Sequence, residues 1–412
     1  MKKIFLTMLL AFTYSSFAQS VDFSGYVRNY SGMLLGNGSN DFVILQNTFN
    51  LNIEKSYANS AFKINPIFYH DNSDSLTFNF REVYLDLYFG SFDLRVGKQQ
   101  IVWGKADGVF ITDIVSPKNL FQFLLPEFDE IRIGVEGAKF DYYIGDNTFE
   151  VVWLPIFTPT EFANPNSVWA VKQDFPLNPT FDYSKQKVNA SLENSEIFAK
   201  YSALTSLIDF EIMGGYMWDD DPTMFSSFMR DSYDMISLVI TPEYKRLSLA
   251  GGSFSTTIGP FVLRGEGAYY FGKYFNTTNP IVNQGVIEKD YIHYMVGTDF
   301  TLYDVNLSLQ FIQKIILDYE TVIRPTPMFN DEYSNMATFL ARYSMFNETL
   351  DIELFSYYDF EFDDSLIRPR ILYDYTDAIN LQFGANIFTG SEGQFGQYDK
   401  NDMIYAKIIY NF

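Results

Sequence analysis

The chain has no cysteine in 412 residues and only two histidines. Without cysteine there is no disulfide framework and no lipid anchor on a processed N-terminus. With two histidines, His70 and His293, metal centres of the His/Cys kind lack ligands. A Ser/His/acid catalyst would need one of them beside a reactive serine, and no motif places one there. The expectation is a non-enzyme with no cofactor and no metal centre. Base is also scarce, with 29 Lys and Arg against 51 Asp and Glu, a formal charge of −22. So acidic a chain is not a nucleic-acid partner; divalent cations at acidic loops such as "WDDD" (218–221) and "QYDKND" (397–402) are the more plausible charged company. Long apolar runs are missing too. After the first residues no window of 18 apolar residues exists, so no helix is long enough to span a bilayer.

The opening "MKKIFLTMLLAFTYSSFAQS" has two lysines, an apolar run from Ile4 to Phe12 and a small-residue site. It reads as a signal peptide over residues 1–18, cleaved between Ala18 and Gln19. Its removal takes Lys2, Lys3 and no acid, so the charge of −22 falls by two, to −24. What the chain has in abundance is aromatics, 30 Tyr and 42 Phe, more than a soluble protein hides easily. An exported, aromatic-rich chain with no helical span points to a closed barrel in the cell outer membrane, with outer-membrane lipid as its surroundings.

The periodicity agrees. In "REVYLDLYF", Val83, Leu85, Leu87 and Phe89 oppose Glu82, Tyr84, Asp86 and Tyr88. In "NTFNLNIE", Phe49, Leu51 and Ile53 oppose Asn50, Asn52 and Glu54. In "INLQFGANIF", Ile379, Leu381, Phe383 and Ile387 oppose Asn380, Gln382 and Asn386. Side chains alternate across a strand, so each segment has an oily and a polar face. Tight turns fall near 57–60, 89–92, 144–147, 204–207, 257–260, 302–305, 345–350 and 375–378. Longer connections fall at 32–41, 71–78, 103–130, 158–193, 220–242, 273–288, 319–333 and 390–400, with a short hairpin near 361–364. Short and long connections alternate, as in an up-and-down barrel. The expectation is an all-β transmembrane antiparallel barrel over residues 19–412, of about 18 strands with 16 as the alternative. The first strand starts near Asp22, leaving no room for a plug domain. The last, "MIYAKIIYNF", puts Ile404, Ile408, Tyr410 and Phe412 on the lipid face. Tyr410 and the terminal Phe412 resemble the signal read by the barrel-assembly machinery.

One stretch breaks the alternation: "WGKADGVFITDIVSPKNLFQFLLPEFDEIRIG". It carries Pro117 and Pro126, yet it is apolar. Such a loop needs a partner surface, and the interior of a wide barrel provides one, because irregular backbone is tolerated at membrane depth where it lines a water-filled cavity. "SPKNLFQFLL" has a polar cap and a proline at the helical start, which predicts a short helix. This third long loop resembles the inward-folded third loop of general porins. Folded in, it would turn Lys105, Asp107, Asp113, Lys118, Glu127, Asp129 and Glu130 to the pore as a constriction. By alternation the lumen wall would add Glu82, Asp86, Arg95, Arg132, Arg264, Glu266, Arg342, Arg368 and Arg370, since charges on the lipid face cost roughly 2–4 kcal/mol at the midplane for Arg. The bland role for these is ion pairing that stiffens the wall; the sharper one is a transverse field that sorts solutes.

The run "RVGKQQIVWGKADGVFITDIVSPKNLFQFL…EIRIG", followed by "VVWLPIFTPTEFANPNSVW", carries a wider likeness. Gly97, Lys98, Gln99, Trp103-Gly104, the Asp113…Pro117 span and Pro155…Phe157-Thr158-Pro159 resemble the porin-superfamily barrels of Gram-negative bacteria catalogued as a domain of unknown function, distant relatives of alginate-export barrels. The resemblance implies an outer-membrane transport channel for a small-solute substrate. Its association with efflux machinery keeps open the alternative of an export or envelope-assembly barrel with a periplasmic partner. Substrate, direction and oligomeric state stay open.

Overall fold

A computed structural model describes residues 21–36, 41–71, 76–171, 177–230 and 236–412. The signal-peptide segment 1–18 lies outside the described residues. Eighteen strands form one antiparallel sheet that closes on itself. Numbering only the barrel strands, they are β1 Asp22–Leu34, β2 Phe42–Ser56, β3 Ser60–His70, β4 Leu76–Tyr88, β5 Phe92–Gln99, β6 Val135–Ile144, β7 Asn147–Leu154, β8 Glu196–Leu204 and β9 Asp209–Trp218. There follow β10 Arg246–Ile258, β11 Phe261–Asn276, β12 Val286–Leu302, β13 Val305–Ile316, β14 Tyr333–Met345, β15 Leu350–Asp359, β16 Asp364–Thr376, β17 Ile379–Thr389 and β18 Met403–Asn411. Each pairs with its sequence neighbours, and β1 closes the barrel on β18 with Tyr26 opposite Asn411 and Leu34 opposite Met403. The strand count is thus 18, and 16 is excluded.

The two faces are set by side-chain alternation. Ile212 on β9 is 60% exposed, while Glu266 on β11, a carboxylate, is 3% exposed. Apolar outside and polar inside is the reverse of a soluble protein, and it is what a lipid-bathed wall around an aqueous interior requires. Leu309 and Phe311 point outward on β13 between Ser308 and Gln310, which are buried inside. Exposed rings gather at the short-turn end, among them Phe89, Tyr142, Tyr303, Phe346, Tyr375, Tyr410 and Phe412, where amphipathic rings suit the interface between lipid and water.

The short turns have the geometry that twisted strands demand. Tyr303 and Asp304 take φ of 47° and 68°, the primed turn whose twist matches its flanking strands. At the other end the connections are long. The connection expected at 220–242 is built around a hairpin of its own, Thr223–Arg230 against Ile236–Glu243. Pro179–Phe181 adds to it in parallel.

Two wall irregularities matter later. Pro66 has no N–H to give the ladder. The β2–β3 pairing skips from Asn50↔Ile67 to Ile53↔Ile64. On the other side of β3 the register shifts between Asn65↔Glu82 and Pro66↔Phe80, leaving Arg81 as an extra residue, a bulge. A bulge re-aims a side chain.

Candidate functional site: a loop threaded through the lumen

Residues 100–134 leave the wall after Gln99 and return at Val135. Between these points the chain is bonded to inward-facing residues on opposite sides of the barrel. On β11, Glu266 takes four hydrogen bonds with its two oxygens. Oε2 accepts from the backbone N–H of Lys105 (2.6 Å) and Ala106 (2.9 Å), and Oε1 from the N–H (2.7 Å) and hydroxyl (2.9 Å) of Thr112. Nearby, Arg264 donates to the Lys105 carbonyl (2.8 Å), Asp107 (2.6 Å) and Asp299 (2.7 Å). Gln310 on β13 accepts from the Asp107 N–H. The Tyr270 hydroxyl donates to the Ile111 carbonyl, and the Tyr357 hydroxyl on β15 to that of Gly108.

Gly108 has to be glycine. Its φ is +81°, and a Cβ there would lie 2.6 Å from the Phe355 ring and 2.7 Å from the Tyr357 oxygen. Further along, Arg368 on β16 donates to the carbonyls of Leu124 (2.9 Å) and Leu125 (2.7 Å). The acidic stretch 127–130 then meets a basic arc. Glu127 pairs with Arg370 (2.9 Å) and Lys407 (3.4 Å), Glu130 with Arg28 (2.7 Å) and Arg81 (3.7 Å), and Asp129 with Arg81 (3.5 Å). Burial works against the charge on Glu127, but Lys407, Arg370 and Arg368 outweigh it and hold the carboxyl down at about 2.

The apolar residues of the loop find their partner surface inside the barrel. Trp103, Ile111, Ile114 and Val115 pack with Val152, Phe198, Met213 and Leu249 of the wall. Phe123, Leu124, Leu125 and Ile131 pack with Tyr30, Tyr357, Leu366, Phe388 and Met403, under the rings of Phe395 and Tyr398.

Two expectations are corrected. "SPKNLFQFLL" is not a helix. Asn119–Leu120 is extended and pairs in parallel with Glu161–Phe162, and Phe123 takes a φ of +52°. The Pro117 carbonyl accepts from Ile133 and the Lys118 carbonyl from Glu161, so the backbone groups a helix would use are engaged elsewhere. The single helical turn lies instead at Phe128–Ile131. Arg132 is not on the wall either. It precedes β6, bridges to Lys118 across the loop, and its Nε donates to Asp113 at 2.6 Å. The pair staples the loop to itself, and Asp113 also accepts from the Trp103 N–H.

The remaining named residues fall into place around this core. Lys105 lies 4.0 Å from Glu211, and Lys118 sits over the Phe110 ring. Asp86 and Arg95 form a two-point pair at 2.7 and 3.0 Å, with the guanidinium stacked on Tyr84. Glu82 faces Lys63 at 3.2 Å. Glu353 links Arg342 (2.9 Å) to Arg370 (2.7 Å). Tyr410 and Phe412 point to the outside. Sequence reasoning missed Arg28, Lys63, Arg81 and Lys407. Alternation with Tyr26 and Tyr30 marks Arg28 as inward, and Met403 and Tyr405 do the same for Lys407. Arg81 was hidden by the bulge. Among the described residues no group of three or more His, Cys, Asp or Glu is placed to hold a metal ion.

Several solved structures share this fold. OccK2 (OpdF) of Pseudomonas aeruginosa, in complex with glucuronate, is similar at a TM-score of 0.57 and 11% identity over 97% of this chain and 99% of that one. OccAB3 of Acinetobacter baumannii has a TM-score of 0.55 at 8% identity, covering 96% and 100%. OpdL of Pseudomonas aeruginosa has 0.53 at 10%, covering 96% and 99%. At such identities the likeness is one of fold alone, a closed antiparallel barrel. No curated protein sequence matches the chain. A family profile matches residues 12–412. The chain therefore belongs to the DUF1302 family, described as proteins of unknown function.

Proposed function

We propose that the protein is a channel for diffusion of small hydrophilic solutes, narrowed by the inserted loop. The observation that carries this is the bonding of residues 105–112 to β11, β13 and β15, and of residues 124–130 to β1, β4, β16 and β18. A segment held from several sides of a barrel has to cross its lumen. An 18-strand wall encloses more width than its side chains fill, so water and solutes keep a path beside the loop. In this role Lys105, Asp107, Asp113, Lys118, Glu127, Asp129 and Glu130 form the constriction. Glu82, Asp86, Arg95, Arg264, Glu266, Arg342, Arg368 and Arg370 form the wall that positions it. Most of these charges are paired, which favours structural stiffening as their first role and leaves a weak net field. An exporter working with a periplasmic partner would need a docking surface at the short-turn end, and turns as short as Tyr303-Asp304 give it little.

The test is single-channel recording from the mature protein in a planar bilayer across a salt gradient, beside a variant with residues 106–128 replaced by a Gly/Ser linker. The expected result is a stable conductance that rises in the variant. Silence from both would sink the channel. Silence from the native barrel with current from the variant would make the loop a gate and bring the partner-opened export barrel forward.

A further inference from the structure

We infer that the chamber between the inserted loop and the short-turn mouth is a binding site for a neutral, multiply hydroxylated solute of mono- to disaccharide size. The chamber is a cavity of about 480 Å³, walled by β1 to β4 and β18 and roofed by Gln100 and Asp129 of the loop. That volume falls within the range of small-molecule sites. The inference rests on the channel reading only for the route by which the solute arrives.

Its chemistry follows from which groups are already engaged. Four charged residues line it, and they cancel. Lys63 is paired with Glu82 at 3.2 Å and with Glu54 at 3.3 Å. Arg81, turned inward by the bulge opposite Pro66, is paired with Asp129 and Glu130. A charged solute would have to break one of these pairs and leave its partner uncompensated. The other polar lining is amide and hydroxyl: Ser24, Asn50, Asn52, Asn65, Gln100 and Asn411.

The amides are held in place. Asn50 and Asn65 are both about 95% buried, at 5% exposure each, and exchange reciprocal hydrogen bonds of 3.3 and 3.1 Å. Asn65 also donates to the Leu51 carbonyl at 2.9 Å, filling the gap that Pro66 leaves in the ladder. Gln100 clamps the loop carbonyls of Asp129 and Arg132. Spare capacity remains on this fixed frame. A carboxamide has two donors and a carbonyl acceptor, and Asn50 spends one donor on Asn65. Asn52 donates to Glu54 at 2.8 Å, while its carbonyl oxygen is buried with no partner among the described residues. Groups that both donate and accept match sugar hydroxyls, which do the same. A carboxylate only accepts, and would leave the acceptors unmatched. The Tyr26 ring lines the same space and gives the apolar face of a pyranose a surface.

The probe is sucrose, titrated calorimetrically into the full mature chain in detergent, with glucuronate as the charged comparison. The expected result is millimolar binding of sucrose and at least tenfold weaker binding of glucuronate. Asn52→Ala should weaken sucrose about fivefold, the worth of one hydrogen bond. Asn411→Ala serves as the second lining variant should Asn52→Ala fail to fold. Asn29→Ala, an amide paired with Asn47 on the exposed outer face, should change nothing. No heat from sucrose, tighter binding of glucuronate than of sucrose, or folded lining variants that match wild type would each overturn the inference. Calorimetry reads the site whether or not the barrel conducts. A barrel that binds sucrose but carries no current refutes the channel and leaves the site standing; one that conducts but does not bind refutes the site alone.

Discussion

Replacing Glu266 with alanine should release the first half of the inserted loop. This one side chain accepts three backbone N–H groups and a hydroxyl, from Lys105, Ala106 and Thr112. Hydrogen bonds to a charged acceptor contribute about 1.5–3 kcal/mol each. Water from the lumen can enter the space a truncated side chain leaves, so the lower figure applies. Four contacts then lose about 6 kcal/mol of local stability. The loss stays local, because Leu125 and Ile131 in the second half remain buried against the far wall. Hydrogen exchange is the direct assay. The amides of 104–112 should lose most of their protection while those of 123–131 keep theirs, and single-channel conductance should rise. Glu266→Gln keeps one acceptor oxygen in place and should fall between. If the 104–112 amides of Glu266→Ala exchange within about threefold of wild type, a shift well under 1 kcal/mol, Glu266 is not what holds the loop and the reasoning fails.

Other perturbations separate the loop's remaining anchors from the wall. Gly108→Ala forces a Cβ into Phe355 and Tyr357 at a positive φ, so it should unseat the loop from β15 and raise the conductance. Tyr357→Phe deletes only the hydrogen bond to Gly108 and should cost about 1 kcal/mol, read by exchange at residues 108–110. Glu127, held at about 2, lies below the ordinary glutamate value of roughly 4.3. Its contribution to seating the loop is therefore whole above that ordinary value and is lost as pH falls through about 2. Conductance should hold from neutral pH to about 3 and change only near 2, and Glu127→Gln should abolish that acid step. Ile212→Arg places a charge on the lipid face of β9 and should destabilise the barrel by roughly 2–4 kcal/mol in urea unfolding from lipid vesicles; a change under about 0.5 kcal/mol would contradict the assignment of that face.

The strands were legible because membrane and lumen impose opposite polarities on alternate residues. Val83, Leu85 and Leu87 against Glu82, Tyr84 and Asp86 needed no tertiary information. The loop's destination was legible for a related reason, since Phe123, Leu124 and Leu125, all buried here, have no place in an ordinary solvated loop. Its conformation was not. A cap followed by proline is a local preference, and it yielded to long-range pairing of 119–120 with 161–162. Arg132 was misassigned because "EIRIG" mimics the start of a strand, while β6 begins three residues later.

The basic partners of the loop were overlooked for a different reason, and it bears on how such a barrel is built. Arg81 follows Phe78 and Phe80 in an alternation that would turn it inward by one step and Glu82 outward by the next. The bulge opposite Pro66 resolves the conflict by admitting an extra residue, so that Arg81 and Glu82 both face the lumen. Arg81 then meets Asp129 and Glu130, and Glu82 meets Lys63 and the Gln100 N–H. Two consecutive inward charges thus stand at the place where the loop leaves β5 and its acidic end returns. Pro66→Ala should restore the missing donor and favour a regular β3–β4 register. A regular register turns one of the two charges toward lipid at a cost of several kcal/mol, so the bulge should persist and the substitution should cost little. An alanine variant in which exchange or cross-linking shows Arg81 parted from Asp129 would mean that the proline, and not the charge pattern, fixes the bulge.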